Sequence, residues 1–219
     1  MKIISVNIGK SRTIEYKGKM EETGIYKEPT TIPVMISKKG LDGDTIINKK
    51  VHGGENKAVY IYFQSNYDYW INETERDDLT PGMFGENLTV SGTDESGICG
   101  GDRIRAGEAL LEAVYLRLPC FKLGIKFGDS GIIKRFMRSE RFGIYFKVIE
   151  EGYVSEGDSI SVEYEHPAKV KFSDIISMYV HDEPDPELLK TALTIESLDE
   201  GLKDRLSKSC INNYSSSPS

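Results

Sequence analysis

A thiol lies between two cations in residues 117–122, where Cys120 follows Pro119 and is flanked by Arg117 and Lys122. The thiolate is the form of cysteine that attacks electrophiles and binds metals, and nearby positive charges stabilise it. Strand-like alternation ends here and Pro119 fixes the backbone, so we expect Cys120 at the end of a strand, on the rim of a pocket. By residue type alone a buried structural cysteine is the commoner case, and the segment by itself leaves both interpretations open.

A histidine, two glycines and a lysine stand close together in residues 52–57. Consecutive glycines such as Gly53 and Gly54 let backbone N–H groups approach an anion, and Lys57 adds a positive charge. His52 can donate or accept a proton near neutral pH. A flexible turn before a strand explains the same residues equally well, and the lack of a GxxxxGK[ST] pattern argues against a P-loop.

Proline and two glycines constrain a third segment, residues 81–88, in which Glu86 and Asn87 offer polar groups. Such a loop can bring backbone amides to a ligand, although a hairpin connection is the commoner case for this composition. Three Gly-Asp pairs, at 43–44, 101–102 and 157–158, are also typical of turns. We expect these pairs to serve the fold and to take no direct part in a site.

The remaining cysteines and histidines are weaker candidates for a functional site. Cys99 lies in a glycine-rich turn and Cys210 follows the last predicted helix, so both are interpreted as incidental. An odd cysteine count without a recognisable secretion signal favours the reducing cytosol, and hence a cytoplasmic protein. His166 and His181 are expected to be solvated, and no HExxH pattern or histidine cluster indicates a zinc site.

Charge and hydropathy exclude some classes of function. Acidic residues outnumber basic ones by 35 to 28 among 219 residues, giving a formal charge of −7. A general nucleic-acid binder usually shows a basic excess, so the balance argues against binding polymeric nucleic acid. A pocket can still be basic on an acidic surface. Because no run of about 18 apolar residues occurs, we expect no membrane-spanning helix.

Short segments rich in Val, Ile, Tyr and Phe, separated by glycines, fill the first three quarters of the chain. This composition is typical of a mainly β fold. Helices are predicted only at residues 65–72 and 132–137 in this part. Strands are predicted at residues 2–6, 32–37, 58–63, 87–90, 109–116, 143–149 and 159–164.

The sequence pattern after residue 167 is typical of helices. Helix starts are predicted at Ser173, at Asp185 and at Ser197, which with Glu200 has the pattern of a capping box. We therefore predict a β domain over residues 1–165, a helical appendage over 166–210 and a disordered tail over 211–219.

The order of these segments along the chain indicates a protein family more specifically than any single segment does. The series at 23–27, 40–44, 52–59, 81–88, 101–102 and 117–122 resembles the MOSC domain family, and the resemblance extends from Met1 to Cys210. The helical appendage and the chain length resemble the YiiM-like branch of that family. Bacterial members of this branch are linked to resistance against N-hydroxylated base analogues such as 6-N-hydroxylaminopurine.

The resemblance implies a β-barrel of the pyruvate-kinase type with a small three-helix appendage. It also implies that Cys120 is a ligand of molybdenum in a molybdopterin, the molybdenum cofactor, whose dithiolene binds the same metal. The cofactor carries a phosphate, so its pocket needs cations and free amides. The candidates are Lys27, Lys57, Asn87, Arg117, Lys122 and the turn formed by His52, Gly53 and Gly54.

The activity that the resemblance implies is reduction of N-hydroxylated compounds to amines, which detoxifies them. His52 or Lys57 is the candidate proton donor. Because the chain has no flavin or nicotinamide fingerprint, the electrons are expected from a separate reductase, a flavoprotein. A homodimer is compatible with the apolar faces of the appendage, whose leucines could equally pack on their own barrel.

Three alternatives stay open at this point. A carrier or sulfur-transfer module would hold the cofactor at Cys120 without turnover. A metal-free hydrolase would use Cys120 and His52 as nucleophile and base, although no recognised signature supplies the orienting group. A module that only binds base analogues would need no thiol chemistry at all.

Overall fold

The computed structural model describes residues 1–45, 47, 54–181 and 185–214 of the chain, with side chains as far as residue 208. Thirteen strands occur within this described part, and they confirm the expectation of a mainly β fold. Their bounds are β1 Lys2–Gly9, β2 Arg12–Tyr16, β3 Lys19–Thr23, β4 Lys27–Thr30, β5 Val34–Ser37, β6 Gly40–Leu41, β7 Val59–Phe63, β8 Leu88–Ser91, β9 Arg103–Ala106, β10 Ala109–Leu116, β11 Ile144–Glu150, β12 Gly152–Val154 and β13 Ile160–Tyr164.

Eight of the strands form one mixed sheet in the order β13-β9-β10-β11-β7-β8-β1-β4. β7 and β8 are parallel, and the other neighbours are antiparallel. β12, β5 and β6 form a small second sheet, and β2 and β3 form a hairpin. β7 and β10 are buried along their whole length, as expected of central strands that are covered on both faces.

The large sheet curls far enough that its β13 end touches β1. An isolated bridge joins Lys2 to Ser159, and the Ile160 N–H donates to the Met1 carbonyl at 2.9 Å. The named strands of the described residues do not, however, pair into a continuous closed ladder. The architecture is therefore mainly β with a large mixed sheet, and the barrel stays a prediction.

Six α-helices lie in the described residues, two of them at the predicted positions between strands and three in the predicted C-terminal region. The sixth, α2, follows Cys120 directly and was not predicted. The helix bounds are α1 Gln64–Thr74, α2 Phe121–Phe127, α3 Ile132–Ser139, α4 Phe172–Val180, α5 Pro186–Leu193 and α6 Glu200–Tyr214. α6 continues beyond residue 210, and residues 215–219, predicted as part of the tail, lie outside the described part.

Two of the C-terminal helices begin at polar side-chain caps. The predicted start at Ser173 is wrong, because α4 begins at Phe172 after Lys171, whose side chain forms no cap hydrogen bond, and Ser173 lies inside the helix. The Asp185 side chain accepts hydrogen bonds from the N–H groups of Glu187 and Leu188 at the start of α5, as predicted. At α6 the capping-box prediction is wrong: the Ser197 hydroxyl is buried and has no hydrogen-bond partner among the described residues. Asp199 caps α6 instead, and its side chain accepts from the Gly201 N–H at 2.9 Å.

The three C-terminal helices share the core of the sheet. Ile175, Leu189 and Leu202 are buried in the same apolar cluster as the central strands. Whether residues 166–210 form a separate domain stays a prediction. No helix of the described residues is long and apolar enough to cross a bilayer.

Candidate functional site

A cavity of about 100 Å³ lies beside Cys120, and most of the predicted site residues line it. Residues 23–27, the 84–87 loop and the end of β10 enclose it, together with Asp44, Thr45 and Ile47. The predicted residues found together here are Lys27, Lys57, Asn87, Arg117, Cys120 and Lys122. His52 and Gly53 lie outside the described residues. Gly54 precedes the short 3-10 helix Glu55–Lys57 and is absent from the described lining. We call this space the inner cavity.

Cys120 is placed by the end of β10 and the start of α2. Its backbone is extended, and its carbonyl accepts the Leu123 N–H at 2.9 Å. The thiol is half-buried and unpaired. A cysteine with this exposure is accessible from the pocket, as the sequence predicted.

Arg117 is buried, and only part of its donor capacity is used. Its Nη2 donates to the Phe84 carbonyl at 3.2 Å, and its guanidinium lies 4.9 Å from the centroid of the Phe136 ring. Its Nη1 is buried without a hydrogen-bond partner among the described residues. A buried donor without an acceptor costs free energy, so this arginine is suited to an acceptor that enters the inner cavity.

Asp44 is a site residue that sequence reasoning missed, because its Gly-Asp pair was assigned to a turn. The carboxylate forms a buried ion pair with Lys27. Its Oδ2 also accepts from Asn87 Nδ2 at 3.0 Å, and its Oδ1 accepts from the Gly9 N–H at 2.8 Å. Burial lowers the pKa of Lys27, and the negative charge of Asp44 opposes that shift. The pair therefore fixes a cation and an amide at the wall of the cavity.

The 81–88 loop, considered as a possible source of ligand-binding amides, instead packs on the 24–27 segment. Gly82 has φ +88°, and a Cβ there would lie 2.5 Å from the Lys27 carbonyl oxygen. Lys126 Nζ donates to the carbonyls of Ile25 at 2.9 Å and Gly82 at 2.6 Å, and so joins the two segments. The Gly82 N–H donates to Glu86 Oε1 at 2.7 Å. The described contacts of Gly82 and Glu86 thus stabilise the wall of the inner cavity.

A second and larger space of about 590 Å³ adjoins the inner cavity, and we call it the outer groove. The two share Lys57, Leu118, Cys120, Lys122 and Tyr145. The outer groove adds side chains from β10, α2, α3 and the C-terminal helices, most of them aromatic or apolar. These additional lining residues include Tyr115, Phe121, Met137, Tyr179 and Arg205. Cys120 therefore lies where a small cavity with several cations in its lining meets a broad aromatic groove.

Lys57 lies at this junction, and its Nζ is 4.8 Å from the centroid of the Tyr115 ring. Burial lowers the pKa of its ammonium group, the Asp199 carboxylate raises it, and the nearby Arg205 guanidinium lowers it further. Lys122 is half-buried and donates to the Glu22 carbonyl at 2.6 Å. Both cations face the space beside the thiol.

The other polar candidates have structural partners. Burial, followed by the Asp102 carboxylate, raises the pKa of the Cys99 thiol. Asp102 accepts from the N–H groups of Cys99 and His166, both at 2.8 Å, in keeping with the turn expected for its Gly-Asp pair. The side chain of Cys210 lies outside the described part. Among the described residues no group of three or more His, Cys, Asp or Glu side chains could hold a metal ion.

Comparison with known proteins identifies the family. The MOSC domain model matches residues 48–161. The uncharacterized protein YflK of Bacillus subtilis is 36% identical over 200 residues, which are 90% of this chain and 89% of YflK. Protein YiiM of Escherichia coli is 39% identical over 124 residues, which are 56% of this chain and 55% of YiiM.

Two further comparisons extend the match. A protein named Reductase from Gibberella moniliformis is 35% identical over 143 residues, which are 64% of this chain but 25% of that longer protein. The crystal structure of YiiM from Geobacillus stearothermophilus superposes with a TM-score of 0.79 at 28% identity, covering 95% of this chain and 98% of that one. The likeness to that YiiM structure therefore includes the C-terminal helices as well as the sheet.

Proposed function

The chain belongs to the MOSC domain family and is YiiM-like in sequence and structure, and from this premise we propose that it is a molybdenum-cofactor-dependent reductase of N-hydroxylated compounds. Compounds such as 6-N-hydroxylaminopurine would be converted to the corresponding amines and so detoxified. The observation that carries the proposal is the position of Cys120 between a cation-lined cavity and an aromatic groove. The name of the relative from Gibberella moniliformis supports a reductase.

The residues of the inner cavity fit the cofactor chemically. The thiolate of Cys120 is a soft ligand, which suits a metal already bound by dithiolene sulfur. Lys27, Lys57 and Lys122 supply positive charge for a phosphate. The Nη1 of Arg117, buried and unpartnered among the described residues, offers a donor to a polar ligand. When bound, the cofactor would supply the two-electron chemistry that removes oxygen from an N–OH group.

The chain itself would bind, orient and protonate the substrate. Reduction of R–NH–OH to R–NH2 and water consumes two electrons and two protons. Lys57 is the proposed proton donor, because burial lowers the pKa of its ammonium group and so makes it a better acid. The electrons would come from a separate flavoprotein reductase in the cytoplasm. We also propose that the large sheet of this chain forms a barrel of the pyruvate-kinase type.

A cofactor carrier or sulfur-transfer module is the second candidate. The inner cavity supports it as well as it supports the reductase, since both need the thiol and the cations. The outer groove favours the reductase because it offers aromatic side chains on which a base could stack, a contact that a carrier does not need. Its volume, about 590 Å³, is also in the range that a small-molecule substrate requires, about 300 to 1,000 Å³.

Turnover of 6-N-hydroxylaminopurine by the cofactor-loaded protein, with a chemical reductant, tests the proposal. We expect adenine to form, and we expect Cys120→Ala to abolish the reaction while remaining folded. Cys99→Ala is the matched control, since this thiol lines neither space, and it should keep its activity. Cofactor binding without turnover in the wild type would favour the carrier. Undiminished turnover in folded Cys120→Ala would refute the assignment of this thiol.

A further inference from the structure

The hairpin of β2 and β3 lies beside the outer groove. It forms a two-stranded sheet of its own, and two contacts hold it against the start of α2. The Tyr16 ring stacks on the Phe121 ring with the centroids 4.4 Å apart, and Lys122 Nζ donates to the Glu22 carbonyl at 2.6 Å. Phe121 lines the groove and is 37% exposed. Because Phe121 follows Cys120 directly, the hairpin lies at the edge of the groove beside the thiol.

Strand alternation divides the charges of this hairpin between its two faces. Tyr16 is directly opposite Lys19 in the register, and opposed residues share a face. Glu21, two residues after Lys19, is on the same face and lines the groove. Lys17 Nζ lies 5.3 Å from the centroid of the Tyr16 ring. The hairpin thus brings two exposed lysines to the edge of the groove. Its opposite face carries the other two carboxylates of the hairpin, those of Glu15 and Glu22.

A second pair of exposed cations lies on α3, which lines the same groove. Ile133 and Met137 face the groove from this helix. Lys134 and Arg138, each the next residue along, are exposed, and residues four apart lie on one face of a helix. α3 itself contains no acidic residue. We call the four exposed cations of the hairpin and α3 the basic rim, and they are Lys17, Lys19, Lys134 and Arg138.

The charges of the basic rim are suited to attract an acidic protein surface. Within the part of the chain that the structure describes, none of its four cations forms an ion pair. The acidic residues that flank α3 have other partners: Asp129 pairs with Arg135, and Glu140 contacts His181 at 2.7 Å. Since the whole chain carries a formal charge of −7, the rest of its surface is on balance acidic and repels a partner that the rim attracts.

We propose that the basic rim docks an acidic electron-carrier protein, with Phe121 as an exposed aromatic contact, and that the carrier delivers its electrons to the site at Cys120. This inference rests on the proposed function, which needs electrons from a separate protein, and it names where that protein binds. Interfaces of this kind combine apolar contacts with a charged periphery. The position of the rim beside Cys120 favours an electron carrier over a nucleic acid, which needs no access to the thiol. A carrier that is oxidised by one electron at each encounter docks twice for each N–OH group that is reduced.

Reduction of the cofactor-loaded protein by reduced flavodoxin, an acidic flavoprotein, tests the surface. Stopped-flow kinetics follow the molybdenum, and no N-hydroxylated substrate is needed. We expect Lys134→Glu combined with Arg138→Glu to lower the second-order rate constant about tenfold at low ionic strength, because electrostatic steering is lost. Lys17→Glu combined with Lys19→Glu should cause a loss of the same order. The wild-type rate constant should fall as salt is added.

The matched control is Lys38→Glu combined with Lys39→Glu. These exposed lysines lie between β5 and β6 and line neither space, so this variant should keep the wild-type rate constant. Equal rate constants in the wild type and the rim variants would overturn the inference. An equal loss in the control variant would also overturn it, because net charge would then be responsible. Dithionite, a small reductant that needs no docking surface, should reduce all of these proteins at similar rates. A loss with dithionite as large as that with flavodoxin would overturn the inference, since the cations would then act on the metal site itself.

Turnover with dithionite separates this inference from the proposed function. If the wild type converts 6-N-hydroxylaminopurine to adenine but flavodoxin reduces the wild type and the rim variants equally, the inference fails and the proposed function stands. If no N-hydroxylated compound is turned over but reduction by flavodoxin depends on the rim, the reductase fails and the docking surface stands. A short single-stranded DNA that bound through the same four cations, while flavodoxin reduction did not depend on them, would overturn the inference in favour of a nucleic-acid surface.

Discussion

Asn56 Nδ2 donates a hydrogen bond to Asp199 Oδ2 at 2.9 Å and so joins the turn before β7 to the first residues before α6. Lys57 follows Asn56 directly, and Arg205 lies on α6, which begins after Asp199. Asp199 is held in turn by its own N–H, which donates to the Val114 carbonyl at 3.0 Å. This contact fixes the spacing of the two cations on the outer groove.

Removing either partner should destabilise the fold, but by different amounts. Asn56→Ala removes the link alone and should cost about 1 kcal/mol of unfolding free energy. Asp199→Ala removes the link and the cap of α6, and should cost about 2 kcal/mol. Denaturant unfolding of the two variants measures the difference. An equal cost would show that Asp199 contributes nothing as a cap.

Gly82 should be intolerant of a side chain. A Cβ at this residue would lie 2.5 Å from the Lys27 carbonyl oxygen, and its φ of +88° is already unfavourable for other residues. Gly18 also has a positive φ, +75°, but a Cβ there would meet nothing within 4 Å. Gly18→Ala should therefore cost about 1 kcal/mol for the backbone alone, and Gly82→Ala should cost clearly more. Thermal unfolding of both variants compares them, and equal losses would contradict the close packing of the two loops.

Lys126 should make the unfolding free energy of the protein depend on pH in the alkaline range. Burial lowers the pKa of its ammonium group from 10.5 to about 8, although the Glu86 carboxylate opposes the shift. Between these two values the unfolded chain holds a proton that the folded chain has released. The unfolding free energy of the wild type should therefore rise with pH in this window, relative to Lys126→Met, with a slope of up to about 1.4 kcal/mol per pH unit.

The measurement is the difference in unfolding free energy between wild type and Lys126→Met from pH 7.5 to pH 9.5, because groups common to both proteins cancel. Lys134, an exposed lysine on α3, supplies the control variant Lys134→Met, whose difference from wild type should stay flat. A flat difference for Lys126→Met as well would show that this lysine is solvated in the folded protein.

The sequence could single out residues 117–122 as a candidate because their chemistry is local. Arg117, Cys120 and Lys122 are neighbours in the chain, and Pro119 marks the end of the strand before the thiol. α2 escaped prediction because a run of seven residues with an interior glycine has too little periodicity to separate a helix from a loop.

The residues that were missed depend on contacts between distant segments. Asp44 resembles any turn aspartate until β4 and the 84–87 loop bring Lys27 and Asn87 against it. Arg205 and Tyr179 belong to helices whose sequence indicates only an apolar face, and nothing local shows that they reach the groove beside Cys120. At α6 both Ser197 and Asp199 are acceptable cap residues, and packing rather than propensity selected Asp199.

X-ray absorption at the molybdenum edge of the cofactor-loaded protein tests most directly the claim that Cys120 holds the metal. The wild type should show one more sulfur neighbour of molybdenum than Cys120→Ser, because the thiolate is lost while the dithiolene of the cofactor remains. Cys99→Ser should retain the wild-type count. An unchanged sulfur count in Cys120→Ser would contradict the account.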